Sequence, residues 1–574
     1  MRLLTHCVAL AACTAAVATV ATVVSVGCSA TSDKGESSGL DPDGGSGADG
    51  FTPRLDTGGG GLDVSGLDVG EGSTPPPVGD PKTCAEAELA KSYIGCDYWP
   101  TVVANTVWSI FDFAVVVANA GDTAADVTVT GPAGFSTTAS VAPNALTKIY
   151  LPWQRDLKGA DGDSCTGTVA LAATVRADKG AYHLVSSKPV TVYQFNALEY
   201  QGKGGPPGKD WSSCPGNTDC PSLGAPVGCF SFTNDASLLL PSTAMTGNYR
   251  VTGYHGWTYD AAALDVNGAY FAITATADGT SVTVKLPGGG GTLAGGGIPA
   301  VAPGGSTTFT MNAGDVVELV GAPRTAVDLG GALVKADKPV QVISGVPCIQ
   351  VPIGTNACDH LEQSVLPAET LGKHYFVAPA TAPHGDVVGH VVRIYGNVDG
   401  TKLTYSPTTP AGAPLTINAG QVVDLGAVAT EFEITGDHEF AVSTFMVGGG
   451  MLDPGAALGK QEGDPSQSQA IAVEQYRKKY VFLAPDDYDL SYVDIVAPDG
   501  TALTLDGAPA GGSPKTISGG YAISRVKLGA GASGAHVLTG TKPFGIQVIG
   551  YGLYTSYQYP GGLDLHAIAP PPVK

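Results

Sequence analysis

Charged residues are scarce in this sequence: they make up 14% of 574 residues, against roughly 25% in an ordinary soluble domain. The charge present is one-sided, with 30 Lys and Arg against 52 Asp and Glu and a formal net charge of −22. That balance excludes a nucleic-acid binder as the expectation, because phosphate recognition needs clustered Lys and Arg. Amphipathic runs of Glu, Lys, Leu and Arg are missing, which excludes a helical bundle. Outside residues 29–82 there is no GxSxG, and HExxH and the Walker lysine loop occur nowhere. The familiar nucleophile, metalloprotease and phosphate-cradle signatures are therefore absent. No CxxC occurs, and the cysteine spacings fit no zinc module. What the chain has instead is 80 Gly, 41 Pro and 43% hydrophobic residues, enough to bury a core between short strands and tight turns.

Arg2 precedes an apolar run from Val8 to Gly27, as a short positive region precedes the apolar stretch of a secretion signal. The run ends in Ser25-Val26-Gly27-Cys28, which resembles the bacterial lipobox, where cleavage exposes a cysteine that takes a lipid. The expectation is a signal peptide over residues 1–27 and lipidation at Cys28; a non-lipidated signal cut nearby is the alternative. The chain would then sit at the bacterial envelope, in the outer membrane or at the cell surface. Residues 29–82 carry 10 acidic and 3 basic side chains, runs of GGGG and TPPP, and almost no aromatics. Burial there cannot offset the entropy of ordering, so residues 28–82 are read as a disordered acidic tether.

Cys7 and Cys13 fall in the signal and Cys28 at the cleavage point, which leaves eight cysteines in the body. An even number in an exported chain suggests disulfides. Closeness in sequence favours Cys84–Cys96 and Cys348–Cys358, and Cys165, Cys214, Cys220 and Cys229 pair among themselves in an order the spacing leaves open.

One pattern recurs four times. The second copy reads YFAITATADGTSVTVKLP, STTFTMNAGDVVELVG and GALVKADKPVQVISG, and Lys188, Lys338, His438 and Lys542 mark equivalent positions. Val, Ile, Thr, Tyr and Phe alternate with small or polar residues, the period of strands. Asp278-Gly279, Asp399-Gly400 and Asp499-Gly500 sit where hairpins need positive φ. The expected repeats are 83–235, with an insertion over about Glu199–Phe230, then 236–358, 359–450 and 451–574. About seven strands per copy predict an all-β chain of tandem antiparallel sandwich-like repeats, with a propeller-like ring as the alternative. LEQSVLPAETLG, between the second and third copies, is expected to hold a helical turn.

Within the repeat, Cys358-Asp359-His360-Leu361-Glu362-Gln363, then Leu366-Pro367, resembles the CDHLxEQxxP signature of the IgG Fc-binding protein N-terminal domain family. A KPVxVxSG strand (338–345) precedes it and a GKxYxVAP strand (372–379) follows it, and both resemble the family's own. The resemblance extends over residues 235–560. In animals that domain begins a secreted, mucin-associated protein, and bacterial relatives are surface proteins. The resemblance therefore implies extracellular binding or adhesion and no catalysis.

Several residues carry candidate chemistry. Asp359, His360 and Glu362 resemble an acid/base or metal cluster, or else His360 and Glu362 bond backbone in an irregular bridge pinned by Cys358. His384, Asp386 and His390 lie in one Gly-rich turn and offer a metal site or a solvated hairpin. Asp486, Asp487 and Asp489 crowd hard oxygen ligands into a short loop and are the calcium candidates. Gly529 to Gly534 matches GxGxxG, but a strand rather than a helix follows it, so no dinucleotide site is expected. Tyr254, His255, Trp257 and Tyr259 form the densest aromatic set outside a clear strand, suited to stacking on a sugar or serving as a protein hot spot.

Three functions follow in order. The first is a non-enzymatic surface lipoprotein that binds a glycan, a mucin-like molecule or a protein, held to the membrane by its lipid, with calcium as the one cofactor entertained. The second is an envelope scaffold that works through sheet faces or edges. The third is a hydrolase at Asp359/His360/Glu362 or around His384.

Overall fold

The computed structural model describes residues 79–572, apart from 163–170, 221–224, 227, 259–265, 325 and 530–533. Residues 1–27, expected to be a signal, Cys28 and most of the expected tether lie outside the described residues, as do Cys165, Tyr259 and the Cys220 side chain. The chain is all-β, a propeller-like ring of four antiparallel units. Both architectures expected from the repeat hold together, because each unit of the ring is itself a two-sheet sandwich.

Each copy is built on eight strands, one more than expected, and the first and second each add a two-residue hairpin, Asp219–Cys220 with Ala225–Pro226 and Trp257–Thr258 with Val266–Asn267. In the second copy one sheet runs Asn248–Arg250, Leu333–Ala336, Thr280–Lys285, Ser306–Met311. The other runs Asp359–Ser364, Val340–Ile349, Tyr270–Ala275, Val316–Val320. Alternation works as predicted in Thr280–Lys285, where Val282 and Val284 are buried and Thr283 and Lys285 are exposed. Phe271, Ile273, Leu319 and Val342 join them in one core. Val175–Ala177, from the first copy, adds an edge strand to the second copy's sheet. In the first and fourth copies a single long strand, His183–Phe195 or Ala535–Gly552, passes through both sheets. Pro189 and Pro543 lie inside these crossings and lack an N–H to donate.

The strand missing from the sequence reading is the last of each copy: Ala236–Leu238, Asp359–Ser364, Gln467–Gln469 and Thr555–Pro560. Each pairs antiparallel with the strand before it. The boundaries at 235/236 and 358/359 therefore fall one strand early, since this strand belongs by hydrogen bonding to the copy it follows. LEQS is likewise strand, and only Ala368–Thr370 forms a helical turn.

These four strands lie side by side at the centre in the order first, second, third, fourth and back to the first. The ring shuts between its ends. Tyr93 N–H donates to the Leu563 carbonyl (3.2 Å), and Leu565 N–H donates to the Lys91 carbonyl (2.9 Å). The described residues begin inside the expected tether. Asp80 is held by Arg477 (2.7 Å) and Lys479 (2.8 Å), and Thr83 caps a seven-residue helix, Cys84–Ala90.

A buried tyrosine repeats with the fold. Tyr98, Tyr249, Tyr375 and Tyr480 donate to the carbonyls of Val190, Val340, Phe440 and Phe544, the first residue after Lys-Pro or its equivalent. Each ties the first strand of its copy to the seam between the two sheets.

Candidate functional site

One central strand carries Asp359, His360 and Glu362, and all three are buried. Cys348–Cys358 pins the loop that enters Asp359–Ser364, with Cα atoms 5.4 Å apart. The strand is regular and pairs with Val340–Ile349, so the expected irregular bridge is not found; one bulge separates Val346 from Ile349. His360 Nε2 lies 3.5 Å from Glu362 and 3.4 Å from Asn196, and its Nδ1 lies 3.4 Å from the Pro347 carbonyl. Glu362 accepts from Gln194 (3.1 Å) and Asn196 (3.0 Å). Asp359 accepts from the amides of Asn234 (2.7 Å) and Ser556 (3.2 Å). Gln363 is buried beside them, and Pro367 follows where the strand leaves the centre.

Asp235 was not singled out by the sequence, and it holds the centre together. Its carboxylate accepts from the amides of Ala236 (2.9 Å), Glu362 (3.1 Å) and Gln467 (2.9 Å), which belong to three different copies. Burial pushes the Asp235 and Asp359 carboxyls well up, and the nearby Asp464 carboxylate adds to the shift at Asp359. Burial raises Asp464 itself to about 8. The Asp359–His360–Glu362 set has no face open to a substrate: all three side chains are 0% exposed. An acid/base site needs access, and this arrangement serves the junction of four strands.

The other candidates separate. His384 is largely exposed and pairs with Asp453 (3.0 Å), which raises its pKa through that hydrogen bond. His390 is buried in its strand, and burial pushes it down to about 3, so it stays neutral. Asp386 acts on His384 through its charge, whereas the charges acting on His390 are those of Arg525 and Glu431. The calcium reading is corrected too. Asp486 and Asp487 both receive Lys148 Nζ (2.7 and 2.6 Å), and Asp489 accepts from the Tyr200 hydroxyl. Among the described residues no group of three His, Cys, Asp or Glu is placed to hold a metal. The described members of the aromatic set, Tyr254, His255 and Trp257, sit at a core edge. Tyr254 and Trp257 are buried, Tyr254 packs on Phe445 (4.8 Å) and His255 (4.3 Å), and Arg393 covers its ring (5.2 Å).

The described disulfides are Cys84–Cys96, Cys214–Cys229 and Cys348–Cys358. Two were expected from spacing, and the third settles one pairing among the four left open.

A cleft between the first and fourth copies was not anticipated. Lys148, Tyr150, Glu199, Tyr200, Gly205 and Asp487 are among its lining residues, and it encloses about 220 Å³. Glu199 is 1% exposed; its Oε2 accepts the Asp112 amide (3.1 Å). Burial, and then the Asp112 carboxylate, push Glu199 up to about 8. Lys209 is spent on Asp112 (2.8 Å). Nothing in the sequence linked residues 148, 199 and 487.

A family model described as IgGFc binding protein matches residues 235–550, more than half of the chain. The chain belongs to the IgGFc-binding protein family. The human IgGFc-binding protein is 31% identical over 163 residues, which is 27% of this chain and 3% of that protein. The family segment begins at Asp235 and takes in the second and third copies and most of the fourth. It contains the Cys358–Pro367 signature, whose acids and amides are the centre of the ring. The family is one of binding proteins, and the disulfides are those of an extracellular chain. No helix among the described residues is long and apolar enough to cross a membrane.

Proposed function

We propose that this chain is a non-enzymatic surface-binding lipoprotein, anchored through a lipid at Cys28 and presenting its ring to a protein, mucin-like or glycan ligand. The membership over residues 235–550 carries this reading. It is supported by the way the central polar residues are used: they bond one another across the copies, which leaves recognition to the loops and inter-copy clefts. The lipobox-like Ser25–Cys28 and the acidic tether behind it supply the anchor and the reach.

The test immobilises the purified, disulfide-intact chain and passes over it immunoglobulin Fc, mucins and a glycan panel, with calcium and with chelator. A saturable hit unaffected by chelator is expected. Silence across the panel overturns the ligand classes named here and favours a scaffold that partners other envelope components. In the same preparation, Cys28→Ser should move the protein from the membrane fraction to the soluble one; no movement removes the lipid anchor from the reading.

A further inference from the structure

The cleft between the first and fourth copies holds a carboxylate whose partners are incomplete. Glu199 Oε1 is buried and, among the described residues, accepts no hydrogen bond from another residue. A buried acceptor left unmade costs on the order of 1–3 kcal/mol, more when it is ionised, so such a group in a cleft calls for a donor from outside.

The neighbouring charges are already allocated. Lys209 pairs with Asp112, Lys148 is shared between Asp486 and Asp487, and Lys203, which also lines the cleft, acts on Asp486. Glu199 is the acid in the cleft that has no cation. Gly205, at φ +85°, packs directly beside it: a Cβ there would stand 3.2 Å from Lys209 Cγ, 3.3 Å from Asp112 Oδ2 and 3.4 Å from Glu199 Oε1. Tyr150 lines the same space, and the carboxylates of Glu199, Asp487 and Asp112 all act on its hydroxyl. A negative pocket with an aromatic wall attracts a cation through both features.

We propose that this cleft binds an ammonium or guanidinium head group, with Glu199 Oε1 as its acceptor and Tyr150 as its wall. About 220 Å³ holds one such head and its stem, not an extended chain. A side chain of a polypeptide ligand and a free amine share this chemistry. A neutral hydroxyl ligand would leave the excess acid unbalanced. The raised Glu199 carboxyl adds a signature: a cation that binds at pH 7 displaces a proton from it. The inference deepens the binding reading above but is tested separately, since a small probe reports on the cleft whatever the protein and glycan panel shows.

The experiment is titration calorimetry of the full chain with butylguanidinium at pH 7 and low salt, beside butylurea as the neutral isostere and acetyl-Gly-Arg-Gly-amide. Saturable binding of butylguanidinium with proton release is expected, together with none of butylurea and at least a tenfold loss in Glu199→Gln. That variant keeps the shape and the acceptor for Asp112, and its circular dichroism and melting verify the fold. Peptide binding at least as tight as the free ion assigns the site to polypeptide side chains; binding of the free ion alone assigns it to small amines. Equal binding of butylurea, undiminished binding in a folded Glu199→Gln, or no binding of either cation overturns the proposal.

Discussion

Asp235 and Glu199 are buried to the same depth, 0% and 1% exposed, and both are carboxyls pushed up by burial. Asp235 accepts three amides from three copies, so its cost of burial is repaid by the hydrogen bonds of the ring itself. Glu199 accepts one amide on one oxygen and leaves the other, among the described residues, without a partner at the wall of a cleft. The first is a construction element, and removing it exposes buried donors. The second is incomplete in the free protein. Burial alone therefore does not tell a structural acid from a recognition acid; the count of satisfied oxygens does.

The contrast is broken most forcefully at the centre. Asp235→Ala strips the acceptor from three buried amides and should lower the unfolding free energy by about 3 kcal/mol or more, read as a shift in the urea midpoint. A loss under about 1 kcal/mol would mean the central strands hold without it.

Acidity tests both regions together. Asp464, Glu318 and Glu199 are raised to about 8 by burial, above the roughly 4 of an unfolded carboxyl. The folded state then holds more protons than the unfolded state between those values, so stability falls as pH rises from about 4 to about 8. Melting temperature against pH should show that decline; a rise across this window would show that these acids ionise in place.

The smallest effect separates the two regions. Glu199→Gln should melt with the parent at about pH 3, below both the folded and the unfolded pKa, where the carboxyl is neutral in both states. It should melt higher by pH 8, because one titrating proton has been removed from the slope. Asp235 offers no such benign substitution to Ala at any pH.

The repeat was legible because hairpins and alternating strands are local: Asp278-Gly279 and its equivalents mark turns, and Val282 and Val284 mark a buried face. The fourth-sheet strands were not legible. All six residues of Asp359–Ser364 are buried, yet the run is polar, and polar residues without alternation read as loop. What makes them strand is the pairing with Val340–Ile349 and the neighbours from other copies. The central site was hidden for the same reason. Asp235 bonds residues 127 and 232 positions away, and no spacing rule reaches that far. Cys348–Cys358 was legible because ten residues separate its partners. The aromatic run at Tyr254 misled because composition cannot say which side of a ring faces the core.

The clasp between Lys91–Tyr93 and Leu563–Leu565 has a consequence for synthesis. The first copy leaves the ribosome early but meets its flanking partner only when the last strands have emerged. Until then Tyr93 lacks the backbone neighbour that closes its side, and the first copy offers an open flank to any other chain. Closure is thus a late event of long loop length, slow relative to formation of each sandwich. A circular permutant that joins these adjacent ends and opens the bridge between the second and third copies would build the same ring with its vulnerable interval moved elsewhere in time.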